Sequence, residues 1–297
     1  MNQPTSGLHH VTAIASDGSA NLCFYRDILN MRLVKKTVNF DVPGSYHLYY
    51  GNQAGDPGTA LTFFLWPDLP PVRPGTGLTS LTRLAVPPNS LSAWETRFKK
   101  HHIACTREKH FGEDVLLFYD PDGLSLALVE RPLGEGEDII GFDGAELHLR
   151  NPDPTRELLF AMGYTPHKTD GNRERLIAGT PAAWGQYLDL YSDPNAPGAR
   201  QGLGSVHHIA FRATDETHQA AFHRLADSRR LSPSPVMDRS YFRSIYFREP
   251  GGILFEVATD APGFTVDEPL ESLGQALKLP PPLEPRRAEI EAMLPRL

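Results

Sequence analysis

Apolar and polar positions alternate with a period of two through residues 7–15, GLHHVTAIA, and again through residues 205–213, SVHHIAFRA. Both stretches are rich in β-branched residues and read as strands. Each runs into an aspartate, Asp17 or Asp215, and then into helical spacing over residues 19–29 or 216–227. An Asp or Ser at such a start is a favourable N-cap. An aromatic strand follows in each copy, at residues 46–51 and 240–248, and then PGTALTFFL (57–65) matches PGGILFEVA (250–258). Each copy predicts a β-α-β-β-β module of about sixty residues.

Two weaker copies lie between them. One spans residues 77–131, with the strand TSLTRLAV, a helix around Trp94 to Lys100 and the ending PDGLSLALVE. The other spans residues 142–192, with AELHLR, a helix near 155–162 and WGQYLDLYS. Pro- and Gly-rich stretches at 67–77, 131–144 and 192–204 read as linkers. After Asp260 the pattern stops, and Pro280, Pro281 and Pro282 precede a short charged helix at 286–293. The expectation is an α+β fold of four modules forming two half-open mixed β-barrels, module one paired with four and two with three. Residues 1–134 would carry modules one and two, residues 135–260 modules three and four, and residues 261–297 an arm that packs on the surface or on a second subunit.

Composition narrows the classes. With 40 % hydrophobic residues the chain can build a core, and a net charge of −7 without a long basic run argues against nucleic acid. Only Cys23 and Cys105 are present, so a disulfide framework is excluded and a reducing compartment is expected. No apolar run approaches the ~20 residues that span a bilayer. The start, MNQPTSGLHHVTAI, lacks a basic region followed by an apolar one, which reads as a cytoplasmic protein without membrane contact.

The chemistry sits on the repeated strands. Strict alternation puts His208 with Val206 and Ala210 on one face, and His207 with Ile209 and Phe211 on the face under the helix. His10 likewise shares a face with Thr12 and Ile14. Glu256 lies in the middle of the apolar strand ILFEVAT, where a carboxylate needs a partner or a metal. Two imidazoles and one carboxylate form the facial triad that suits Fe(II) and leaves positions open. Adjacent histidines alone mean little; the exposed-looking pair His101-His102 ends a Lys-rich helix. What favours His10, His208 and Glu256 is their equivalent placement in the repeat. Aligning the modules puts Phe63 and Ala127 opposite Glu256, and Ser80 opposite the two ligand histidines. His148 falls near the first-strand position of module three, and Asp189 near its last-strand position. Nucleotide-binding, serine-hydrolase and zinc-protease motifs are absent.

The segments GLHHVTAI, MRLVKKTVNFD, YHLYYGN and PGTALTFF, together with SVHHIAFR through DRSYFRSIYFREPGGILFEVATD, resemble ring-cleaving dioxygenases of the vicinal oxygen chelate (glyoxalase/bleomycin resistance) superfamily. They are most similar to its hydroquinone and chlorohydroquinone 1,2-dioxygenase branch. The resemblance implies four βαβββ modules and Fe(II), with Mn(II) as a substitute, on His10, His208 and Glu256. It implies supporting and substrate-contacting roles for His9, Thr12, His207, Arg239 and Tyr246. The implied partners are a hydroquinone-type aromatic, chlorinated or alkylated forms included, and O₂; homo-oligomerisation stays open. Tyr246 and His207 are the candidates for proton transfer, and Arg239 for stabilising an oxyanion. The competing readings are a glyoxalase-type isomerase or lyase on nickel or zinc with a fourth protein ligand, and a non-enzymatic binding protein on the same fold.

Overall fold

The computed structural model describes residues 4–180 and 184–297. Residues 1–3 of the N-terminal half and 181–183 of the third module lie outside the described residues. Module one contains β1 (Leu8–Ala15), α1 (Gly18–Leu22, continued as a wider π-helical turn at Cys23–Ile28), β2 (Arg32–Val38), β3 (Tyr46–Gly51) and β4 (Ala60–Leu65). Module two contains β5 (Leu78–Val86), α2 (Leu91–Lys100), β6 (Cys105–His110), β7 (Glu113–Tyr119) and β8 (Ser125–Glu130). Module three contains β9 (Gly141–Leu149), α3 (Asp153–Ala161), β10 (Tyr164–Asp170), β11 (Arg173–Ala178) and β12 (Tyr187–Ser192). Module four contains β13 (Val206–Ala213), α4 (Glu216–Ser228), β14 (Met237–Asp238), β15 (Phe242–Arg248) and β16 (Leu254–Pro262). The predicted caps form: Asp17 accepts from the Ala20 N–H at 2.6 Å and Asp215 from the His218 N–H at 2.8 Å.

Modules one and four share an eight-stranded sheet in the order β14-β15-β16-β13-β1-β4-β3-β2; modules two and three share a second, β10-β11-β12-β9-β5-β8-β7-β6. The two sheets curl into half-barrels, as expected of the vicinal oxygen chelate fold. In each, the first strands of the paired modules meet antiparallel at the centre, β1 against β13 and β5 against β9. The outer faces and the helices form one apolar core, with Trp94 and Phe98 of α2 and Phe222 of α4 inside it.

The ladders depart from strict alternation at defined points. Leu8 faces Phe211 and His10 faces Ala210, so His9 is an extra residue on β1. Thr12 faces His208 and Ala13 faces Val206, so His207 is extra on β13. The second sheet repeats this, with Ser80 extra on β5 and Asp143 extra on β9. A bulge lets two consecutive side chains turn the same way. His207 therefore leaves the helix side, where alternation put it, and borders the cavity of the first sheet.

The bulges also correct the module alignment. Thr12 pairs with Thr62 and Ala210 pairs with Glu256, so Thr62, not Phe63, occupies the place of Glu256 in module one. Phe63 points into the core against Tyr25. In the second sheet Leu81, not Ser80, corresponds to His10, and Gly144, not His148, corresponds to His208. Ala127 and Asp189 do fall opposite Glu256.

The last stretch packs on the chain itself. Lys35 of β2 is fully buried; it is 2.6 Å from Asp267 and also pairs with Glu268, while Leu279 and Ile290 of the arm cover Val38. The short helix α5 (Arg287–Met293) carries Ile290. Among the described residues no helix is long and apolar enough to cross a membrane.

Candidate metal centre

The concave face of the first sheet carries the polar set. His10 of β1, His208 of β13 and Glu256 of β16 are buried, and their ligand atoms all lie within 4.8 Å of one another. Among the described residues no other three His, Cys, Asp or Glu side chains gather so closely. Glu256 Oε2 lies 3.3 Å from His10 Nε2 and 2.9 Å from His208 Nε2, yet has no hydrogen-bond partner. A buried carboxylate oxygen without a donor is costly, and with the two imidazole nitrogens converging on it the set could hold a divalent metal. The other oxygen, Oε1, accepts a short hydrogen bond from Ser244. Burial alone would raise the Glu256 pKa, but the adjoining His10 and His208 hold it well below the usual carboxylate range.

The bulged histidines stand behind the candidate ligands. His9 Nδ1 is 2.9 Å from His10 Nδ1, and His207 Nδ1 is 2.7 Å from His208 Nδ1. With Nε2 of His10 and His208 turned to the centre, their Nδ1–H groups are left to donate, and His9 and His207 accept. An acceptor imidazole must be neutral. Burial, reinforced by the neighbouring ring, pushes His9 and His207 down to about 3. His208 is also lowered, chiefly by burial, against the opposing pull of Glu256. Phe242 packs on both His9 and His10, and His207 sits edge-on to Phe64 and Trp66.

Above the triad is a cavity of about 350 Å³. This is at the small end of ligand pockets. Arg239 and Tyr246 line one side, and Arg239 Nε donates to the Tyr246 hydroxyl at 3.1 Å. Arg239 also reaches Asp41, on the loop after β2, at 3.2 Å. Burial holds the Tyr246 phenol above its ordinary range, so it keeps its proton. Thr12 is fully buried and bonds Thr62 at 2.7 Å, one step behind the wall. His47, Tyr49 and Ser244 were missed by sequence reasoning. The signal was the match of HLYY in β3 to SIYF in β15, which places His47 opposite Ser244 and Tyr49 opposite Tyr246.

Among the described residues the second sheet holds no such centre. Arg83 donates to Asp143 at 2.9 Å and also pairs with Asp189, while Arg175 holds Asp189 and Arg131 holds Asp143. This buried ion cluster fills the concave face where the first sheet has its cavity. At Gly144 a Cβ would collide with the Tyr187 carbonyl oxygen, so no side chain fits at that ligand position.

A profile of the Glyoxalase/Bleomycin resistance protein/Dioxygenase superfamily matches residues 7–128. Over 98 % of its length the chain is 42 % identical to MhqO of Bacillus subtilis (strain 168), a protein named as a ring-cleaving dioxygenase, covering 96 % of that protein. It is 34 % identical to a chlorohydroquinone/hydroquinone 1,2-dioxygenase of Sphingobium indicum, over 98 % of this chain and 96 % of that one. A crystal structure of a Bacillus subtilis protein described as a dioxygenase superposes with a TM-score of 0.95 at 41 % identity, covering 99 % of this chain and 98 % of that one.

Proposed function

The chain belongs to the glyoxalase/bleomycin resistance protein/dioxygenase superfamily, and from that premise we propose that it is an Fe(II)-dependent ring-cleaving dioxygenase acting on hydroquinone-type aromatics with O₂. The observation that carries this is the convergence of His10, His208 and Glu256 at the base of a small, largely apolar cavity. The relatives named for ring cleavage, similar over almost the whole chain, supply the reaction class. Thr62, a hydroxyl held by two hydrogen bonds, stands where a fourth protein ligand would come from, and this disfavours the isomerase reading.

His10, His208 and Glu256 would hold the iron, with Mn(II) as a substitute. A metal held there would supply Lewis acidity and redox capacity for the reaction of a phenol with O₂. The residues around it do the rest. His9 and His207 fix the ligand rings by accepting their Nδ1–H groups. Ser244 restrains one Glu256 oxygen, leaving the other for the centre. Arg239 occupies a lone pair of the Tyr246 hydroxyl, so that its proton is offered to the substrate, and its guanidinium faces developing negative charge. His207 adds a second neutral N–H at the cavity wall. Phe64, Trp66 and Phe242 keep water from the reacting ring.

The test is anaerobic reconstitution with Fe(II), followed by O₂ uptake with hydroquinone, catechol and their methyl and chloro derivatives. Uptake with hydroquinones is expected, and His208→Ala is expected to lose both iron and uptake. Full iron content and activity in His208→Ala would sink the ligand assignment. Uptake with catechols alone would move the function to a catechol-cleaving enzyme, and isomerase activity with nickel or zinc would move it to the glyoxalase class.

A further inference from the structure

The internal repeat pairs the two cavity tyrosines. Tyr246 lies across the ladder from Glu256, and Tyr49 lies across from Thr62, which takes the place of Glu256 in module one. The second sheet, with its buried ion cluster, has Arg175 and Leu117 at the same two positions. Tyrosines at both places thus go with the half-barrel that is open to a ligand.

Tyr49 ends a polar string through an otherwise apolar wall. Its hydroxyl is 2.9 Å from His47 Nδ1, His47 Nε2 is 2.9 Å from Thr62 Oγ1, and Thr62 Oγ1 is 2.7 Å from Thr12 Oγ1. All four residues are buried, and burial keeps the imidazole neutral and the phenol protonated. Four neutral groups bring four hydrogens, one each, and the three links use three. The fourth hydrogen is left at an end of the string. If the string runs from Thr12 to Tyr49, the Tyr49 O–H is free; if it runs the other way, the Tyr49 oxygen is free to accept. Only the His47 and Tyr49 end borders the cavity. A group that can donate or accept without becoming charged suits a neutral hydroxyl, which meets it in either sense, whereas a carboxylate or an ammonium meets it in only one.

We propose that Tyr49, held by His47, is the contact for the second ring hydroxyl of the substrate, the one not directed at the metal ligands, and so sets the preference for aromatic diols. The inference deepens the function proposed above and rests on it. Tyr49 is a specificity residue that touches the substrate; His47 and Thr62 act through it.

The experiment measures anaerobic binding of hydroquinone and of phenol to the iron-loaded protein. Wild type is expected to bind hydroquinone more tightly than phenol. Tyr49→Phe keeps the ring and removes one oxygen; it is expected to weaken hydroquinone about tenfold and to leave phenol within about twofold. Thr62→Val breaks the string two links from the cavity and is expected to cut the preference about threefold, again with phenol unchanged. A merely structural role would weaken both ligands together, and that result overturns the inference. So does an unchanged preference in Tyr49→Phe when wild type binds and cleaves hydroquinone. Failure of wild type to bind hydroquinone at all would instead bring down the functional reading, and this inference with it.

Discussion

Glu256 divides its work between its two oxygens. Oε1 is tied to Ser244, and Oε2 faces the imidazoles. Supporting hydrogen bonds of this kind typically contribute 10–100-fold to metal affinity. Ser244→Ala is therefore expected to weaken Fe(II) or Mn(II) binding by about that factor in a metal titration, with the fold intact. A second buried carboxylate has the opposite character. Asp120 accepts from the Tyr25 hydroxyl and from two backbone N–H groups, but burial outweighs them and raises it to about 6. A raised carboxyl keeps its proton in the folded chain after the unfolded chain has released it. Asp120 thus costs stability progressively as pH rises from 3.8 to about 6, and uniformly above that. Asp120→Asn removes this slope. Relative to wild type, the variant is expected to gain at most about 3 kcal/mol between pH 4 and pH 7 in denaturant unfolding.

At the scale of elements, a buried cation helps to fasten the arm to β2. Lys35→Met would leave Asp267 and Glu268 facing a buried surface without their partner. A loss of about 3–5 kcal/mol is expected in denaturant unfolding. The elements themselves were legible in the sequence: the repeat of GLHHVTAIA in SVHHIAFRA gave the modules, their helices and their caps. The bulges were not legible. An inserted residue leaves the composition of a strand unchanged and shifts only its pairing, so alternation put His207 on the wrong face. The same blindness explains Phe63. Counted from the shared Pro-Gly, Thr62 comes one residue sooner than Glu256, and only the ladder shows that Thr62 takes its place. The candidate ligand set was readable because a carboxylate inside ILFEVAT has no cheap structural explanation. His47 and Tyr49 lay in an aromatic strand that looked like ordinary core.

At the scale of the whole molecule, two half-barrels of one design have diverged, one around a cavity and one around a plug of charge. The plug is expected to act on stability alone. Arg83→Met leaves Asp143 and Asp189 with one cation fewer, and a loss of about 3 kcal/mol in unfolding is expected. Metal affinity per folded molecule is expected to stay unchanged, because the triad belongs to the other sheet. A fall in affinity would mean that the sheets communicate.

Gly144 gives that divergence a direction. Any side chain there would meet the β12 backbone at Tyr187, so the second half-barrel cannot place a histidine at the equivalent of His208 by substitution alone. Strand β12 would have to move, and Arg83, which also closes on Gly144, would have to go first. Each step by itself spoils a packed interior before any metal could repay it. At that one position the duplicated half is held by a ratchet, while the equivalent position of the first half stays open to an imidazole.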